Sequence, residues 1–207
     1  MNRTLGVLIS GRGSNLQALI DAVAGQRLRA SIRVVISNRE AAEGLDRART
    51  AGIEAVVLDH RSFRTRDEYD QALAHELRSR GVGLVCLAGF MRKLGPPMVS
   101  AFPNAIVNVH PSLLPSFPGL GAQRQALEYG VKVTGVTVHF VNEALDAGPI
   151  ILQRTVSVLK GDSEQSLSAR ILEQEHLAYP RAVEMVLDGA WGLEGRTFVD
   201  GEPDAGL

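Results

Sequence analysis

Short apolar runs rich in valine and isoleucine punctuate the first half of the chain, at 4–10, 32–37, 55–59, 83–88 and 104–109. The stretches between them carry apolar residues at helical spacing. Strands that alternate with helices can bury both faces of their sheet only when most of them run parallel, with helices on either side. The pattern therefore predicts an α/β, Rossmann-like three-layer fold with a mostly parallel sheet. Beyond Asn108 the pattern changes. The runs "KVTGVTVHFV" and "PIILQRTVSV" are separated only by "NEALDAG". No helix fits between them, so they are expected to pair as an antiparallel C-terminal hairpin with a long loop. The Gly-rich tail "GLEGRTFVDGEPDAGL" predicts a short hairpin followed by a frayed terminus.

Helix starts follow from capping chemistry. Ser14 and Gln17 have the spacing of a capping box for "SNLQALIDAVAG", with Gly25 as its stop. Thr65 and Glu68 have the same relation, and Gly81 ends that segment. Within it Tyr69, Leu73 and Leu77 form one buried face. Asp162 is the expected cap of the long segment "SEQSLSARILEQEHLAYPRAVEMVLDG", and Pro180 is expected to kink or divide it.

At 207 residues the chain is one domain by size, with enough length for a sizeable core. Its net charge of -1 argues against a general binder of nucleic acid or acidic membrane. The lone cysteine, Cys86, permits no internal disulfide or Cys-based zinc site and reads as a small buried hydrophobe. No apolar run is long enough for a membrane span, and the first residues lack a signal-peptide pattern, so a cytoplasmic protein is expected.

The stretch "ISGRGSNLQ" joins the first strand to the first helix. Gly11 and Gly13 permit close backbone approach, and the N–H groups of Gly13, Ser14 and Asn15 lie at the positive end of a helix. Leu16 stands where a dinucleotide fingerprint would place its third glycine, and Asn38 follows the second strand in place of an acid. A phosphate monoester fits better than NAD. A tight turn without ligand also fits this stretch.

"NVHPSLLPSFPG" follows the fifth run. Asn108 and His110 are two apart on a strand, so both point to the same side. The prolines that follow stiffen the loop. Asp146, in the loop of the antiparallel pair, is the expected third member. A carboxamide donor, an imidazole and a carboxylate together suit oxyanion stabilisation and proton transfer. "HPS" is not a nucleophile elbow, so Ser112 points to no covalent intermediate. From spacing alone, a hydrogen-bonded structural histidine is also open. His139 reads as a strand residue, His176 as a helical residue near Glu173 and Glu175, and His60 and His75 as surface residues. No pair of histidines or acids has metal-ligand spacing, so no metal is expected.

Taken in order, "VLISGRGSNLQALID", "LAGFMRKL", "NVHPSLLPSFPG", "GVTVHFVNEALDAGPIILQ" and "GDSEQSLSARILEQEHLAYP" resemble the folate-dependent glycinamide ribonucleotide formyltransferase family over nearly the whole chain. The resemblance implies formyl transfer from 10-formyltetrahydrofolate to glycinamide ribonucleotide in purine biosynthesis. It implies a catalytic trio of Asn108, His110 and Asp146 and a nucleotide site at Gly13, Ser14, Asn15, Leu16, Gln17 and Glu175. It implies folate contacts at Arg66, Met91, Arg92, Lys93, Leu94 and Asn108, and along the loop Asn142, Glu143, Ala144, Leu145 and Asp146. The single domain would then comprise a phosphate-binding half, 1–103, and a catalytic and folate-binding half, 104–207. Its partners would be small molecules, and the chain a monomer or homodimer.

The chain departs from the family pattern at Leu120 to Gln125, where many relatives carry a histidine-bearing loop. A lysine found in some relatives one turn before Glu175 is also missing. Phosphate binding is therefore expected to rest on the backbone of the glycine loop. Methionyl-tRNA formyltransferases and formyltetrahydrofolate hydrolases share the "HPSLLP" type of loop, but are expected to carry further C-terminal or N-terminal domains respectively. A catalytically idle nucleotide-binding module is the remaining rival, and the presence of the whole trio speaks against it.

Overall fold

Each of the apolar runs in the first half is a β-strand. In the computed structural model, which describes residues 2–201, β1 (Thr4–Ile9), β2 (Ser31–Ser37), β3 (Glu54–Val57), β4 (Leu84–Leu87) and β5 (Ile106–His110) pair in the order β3-β2-β1-β4-β5. All of these pairs are parallel. Val7, Leu8, Ile9, Leu84 and Val85 are fully buried, which is why these strands read as continuous apolar runs. The helices are α1 (Ser14–Ala24), α2 (Gly44–Thr50), α3 (Arg66–Ser79) and α4 (Pro96–Ala101). The strand order reverses direction between β1 and β4, so the carboxyl ends of these two strands form a topological switch point.

The chain separates into two compact units, Met1–Asn108 and Val109–Leu207. In the second, β6 (Val133–Phe140) and β7 (Ile150–Ser157) form the expected antiparallel pair. The tail hairpin is also present, as β8 (Trp191–Glu194) and β9 (Thr197–Asp200). The frayed terminus expected beyond it lies outside the described residues. Phe140, Trp191 and Phe198 stack with ring centroids 5.1 to 6.1 Å apart and tie this hairpin down. Helices α5 (Ala122–Tyr129) and α6 (Glu164–Asp188) complete the unit. Parallel strands followed by an antiparallel pair are the mixed α/β fold that the pattern predicts.

Several local expectations need correction. Ser14 and Gln17 form no capping box: Gly13, at φ 72°, is itself the N-cap and makes no side-chain bond. Its left-handed conformation starts the helix one residue early, so Ser14 is already inside the first turn. Ser163, rather than Asp162, caps α6 and forms a capping box with Ser166. Asp162 instead accepts hydrogen bonds from Leu159, Ser166 and Arg170. The α6 helix is not divided at Pro180. Ile171, Ala178, Tyr179, Ala182, Val183 and Val186 are buried along it, and that packing outweighs the roughly 3 kcal/mol that an internal proline costs. Residues 120–125 are only partly a loop, because α5 begins at Ala122 behind a left-handed Gly121. Thr65 caps α3 as expected, accepting from the Glu68 N–H, and Cys86 is buried and free.

Gly135 in β6 is a packing requirement. A Cβ there would meet the Arg154 carbonyl oxygen at 2.0 Å and Leu113 at 2.8 Å. Gly135→Ala is expected to lower unfolding free energy in urea by roughly 3 kcal/mol, the upper range for overpacking. An unchanged midpoint would show that β6 can move aside.

Candidate active site

In the first unit, the glycine loop and the "MRKL" loop meet at the switch point. The Ser10 N–H donates to the Gly89 carbonyl at 3.2 Å, and the Met91 N–H donates to the Ser10 hydroxyl at 2.8 Å. The same hydroxyl donates to Asn38 at 2.6 Å, and Asn38 lies 3.3 Å from the His60 ring. One buried serine thus ties together the carboxyl ends of β1, β2 and β4. His60, read from sequence as a surface residue, is half-buried in this chain of bonds.

A Cβ on Gly13 would lie 2.7 Å from the Gly44 Cα, and its φ of +72° disfavours any side chain. The first N–H groups of an α-helix have no acceptor within the helix, and such ends favour anions. Ser14 is half-buried and Asn15 buried. Leu16 is a core side chain at 0 % exposure, so it offers a ligand only its backbone. The Gln17 carboxamide is bonded to Asp21 and Arg47.

In the neighbouring loop, Met91 and Lys93 are exposed, while Leu94 packs into the core. The Arg92 guanidinium lies 5.1 Å over the buried Tyr69 ring, a cation–π contact. Asp70 accepts from the Gly95 N–H at 2.5 Å. Burial pushes the Asp70 carboxyl above the usual carboxylate range, against that hydrogen bond and Arg92. Arg66 is exposed at the start of α3.

In the second unit, His110 closes β5 at 5 % exposure. Its Nε2 lies 2.9 Å from the Phe117 carbonyl oxygen and its Nδ1 lies 3.5 Å from Asp146 Oδ2. Both ring nitrogens face oxygen acceptors. Asp146 Oδ2 also accepts from the Gly119 N–H at 2.8 Å. Asp146 at φ 48° and Phe117 at φ 54° both have positive φ, which aspartate tolerates better than an aromatic residue does. Such strain persists where the surroundings over-determine it, and these hydrogen bonds do so.

The loop after His110 is held by side chains of the β6–β7 pair. The Thr137 hydroxyl accepts from Leu114 N–H at 3.0 Å and donates to the Ser112 carbonyl at 2.7 Å. Gln153, opposite Thr137 in the ladder, donates to the Leu114 carbonyl and to Thr137, both at 2.9 Å. Ser112 is fully buried and donates to the Ser116 carbonyl, an arrangement that stabilises the loop and leaves no exposed nucleophile. Asn142 accepts from Ala144 N–H in a tight turn, with Glu143, Ala144 and Leu145 exposed around it. Asn108, last in the first unit, is half-buried on β5, and Glu175 is buried on α6. Among the described residues no group of histidine, cysteine or acid side chains could hold a metal ion.

Residues 3–183 match the model of a family described as formyl transferase. The chain belongs to the formyl transferase family. It is 47% identical to phosphoribosylglycinamide formyltransferase of Escherichia coli (strain K12), over 95% of this chain and 93% of that protein. It is 50% identical over 90% of its length to the trifunctional purine biosynthetic protein adenosine-3 of Drosophila melanogaster, of which it spans only 14%. A crystal structure of glycinamide ribonucleotide transformylase 1 from Symbiobacterium toebii superposes with a TM-score of 0.96 at 52% identity, covering 97% of this chain and 95% of that one.

In this formyl transferase, His139 belongs with the His110–Asp146 pair, which sequence reading missed. Its Nδ1 donates to the Phe140 carbonyl at 2.8 Å and its Nε2 lies 3.8 Å from Asp146 Oδ1. Strand alternation alone does not distinguish such a histidine from any other buried strand residue. Burial lowers the His139 pKa below its ordinary value, outweighing the Phe140 carbonyl and Asp146. The unfolded chain therefore takes up this proton more readily than the folded one, and stability is lost as pH falls below the ordinary histidine value of about 6.5. His139→Asn is expected to flatten that part of the profile. Urea unfolding at pH 7.5 and 5.5 checks this, and parallel losses in both proteins would refute it.

Proposed function

We propose that the protein transfers the formyl group of 10-formyltetrahydrofolate to the amine of glycinamide ribonucleotide. The products are N-formylglycinamide ribonucleotide and tetrahydrofolate, and the step belongs to de novo purine (IMP) biosynthesis. The observation that carries this reading is His110, held between the Phe117 carbonyl and the Asp146 carboxylate in a formyl transferase chain.

The amine lone pair attacks the formyl carbon and the carbonyl oxygen gains negative charge. Asn108 donates its amide N–H to that oxygen, and an imidazolium at His110 donates beside it. The N–H that His110 now gives to Phe117 is the one a formyl oxygen takes or shares. As the new C–N bond forms, the bond from carbon to the folate nitrogen breaks. The proton lost by the amine reaches the departing nitrogen through water ordered by Asp146. Holding two large substrates in register supplies much of the acceleration.

The remaining residues take binding roles. Gly13, Ser14, Asn15, Leu16 and Gln17 receive the nucleotide phosphate through backbone N–H groups, and Glu175 contacts the nucleotide. Arg66, Met91, Arg92, Lys93 and Leu94 bind the folate, with Arg92 at the pteridine, and residues 142–146 line its pocket. We assign phosphate binding to the half 1–103 and formyl chemistry to the half 104–207. No helix among the described residues is long and apolar enough to cross a membrane. We place the enzyme in the cytoplasm as a monomer or homodimer that uses no metal.

The test is a two-substrate assay. Formylated nucleotide and tetrahydrofolate are expected to appear together, and His110→Ala or Asn108→Ala to lower kcat on the order of 10²–10³-fold. Asp146→Asn, which keeps the shape and removes the charge, is expected to reduce kcat as well. Tetrahydrofolate formed equally fast without the nucleotide would make the enzyme a hydrolase and refute the proposal.

A further inference from the structure

Helix α2 has no role in the chemistry above, yet it grips the glycine loop at two consecutive peptide groups. The Gly44 N–H donates to the Gly11 carbonyl at 3.0 Å. The Arg47 Nε donates to the Arg12 carbonyl at 2.9 Å. In a planar trans peptide the C=O and the following N–H point in opposite directions. Drawing these two carbonyls toward α2 therefore turns the N–H groups of Arg12 and Gly13 away from it. Gly13 then enters the left-handed conformation, at φ 72° and ψ 31°, and its carbonyl accepts the first helical bond, from Gln17 at 2.9 Å. The N–H groups of Ser14 and Asn15 follow as first-turn donors. Successive N–H groups presented in this way form an anion-binding concavity.

Arg47 is the strongest part of this grip. Its Nη1 also donates to Gln17 Oε1 at 3.2 Å, and its Cδ lies 3.5 Å from the position a Cβ on Gly13 would take. The guanidinium thus spans the loop from Arg12 to Gln17, and the Arg47 Cδ methylene borders the space beside Gly13. It also brings a fixed positive charge to the loop.

We propose that Arg47 is a positioning residue for the phosphate of the substrate: it orients the Arg12–Gly13 peptide so that the loop N–H groups converge on the anion, and it adds charge behind them. The proposal rests on assigning the nucleotide phosphate to this loop. It predicts a defect confined to substrates that carry the phosphate.

Arg47→Met is compared with the wild type in three measurements. Calorimetric binding of ribose 5-phosphate is expected to weaken about tenfold, as expected for loss of a charge-assisted hydrogen bond. The KM for glycinamide ribonucleotide is expected to rise by about the same factor, with kcat within twofold. The kcat/KM for the corresponding riboside, which lacks the phosphate, is expected to stay unchanged. Equal ribose 5-phosphate affinity in the two proteins overturns the proposal, and so does an equal loss on the riboside. If Arg47→Met does not fold, Arg47→Lys, which keeps the charge but not the paired donors, is expected to raise the nucleotide KM about threefold, and no rise overturns the proposal. A wild type that binds ribose 5-phosphate but forms no formylated nucleotide would count against the assigned reaction and leave the phosphate comparison decisive for Arg47.

Discussion

Parallel pairing constrains the first unit more than any single contact does. Parallel strands cannot be joined by tight turns, so each returns through a crossover, and their carboxyl ends collect on one edge. The backbone groups at that edge have no further ladder to join, and folding must satisfy them some other way. Side chains and α2 do this: Ser10 and Asn38 link the ends of three strands, the Gly44 N–H donates to the Gly11 carbonyl, and Arg47 donates to that of Arg12.

The second unit solves the same problem with different parts. The chain after His110 is irregular, and its carbonyls and N–H groups are met by Thr137, Gln153 and Ser112. Thr137 and Gln153 face one another across the β6–β7 pair, so a regular ladder supports an irregular loop. Groups that define the shape of this loop therefore sit on strands. Rigid elements hold side chains more accurately than loops do, and here the strands lend that accuracy to the loop.

Strand and helix type were legible wherever burial imposed a period. The runs at β1, β2 and β4 are apolar because both faces are covered, and Tyr69, Leu73 and Leu77 recur because one face of α3 is buried. The seven residues of α2 are too few to establish a period, with only Gly44, Leu45 and Ala48 buried. The cap of α1 was misplaced because a glycine at positive φ looks the same in sequence as any other glycine. Asn108 and His110 could be placed together by strand alternation. The partnership of His110 with Asp146 depends on tertiary placement and on the left-handed conformation of Asp146, which no local pattern encodes. Asp146 was expected only from its place in the loop of the antiparallel pair and its chemistry, and the family resemblance strengthened that expectation. His139 stayed hidden for a related reason: its position in an apolar strand signals burial, and burial alone is silent about what the ring faces.

The tethering of His110 has an entropic consequence. An imidazole on a mobile loop samples several rotamers, and ordering it around a substrate opposes binding at every encounter. In this chain the ring is held at both nitrogens, by the Phe117 carbonyl and the Asp146 carboxylate, and Asp146 is itself fixed by the Gly119 N–H. The loss of rotamer freedom has therefore already occurred when the chain folds. In the proposed reaction, substrates meet a ring with one orientation, and their binding energy is not drawn down to align it.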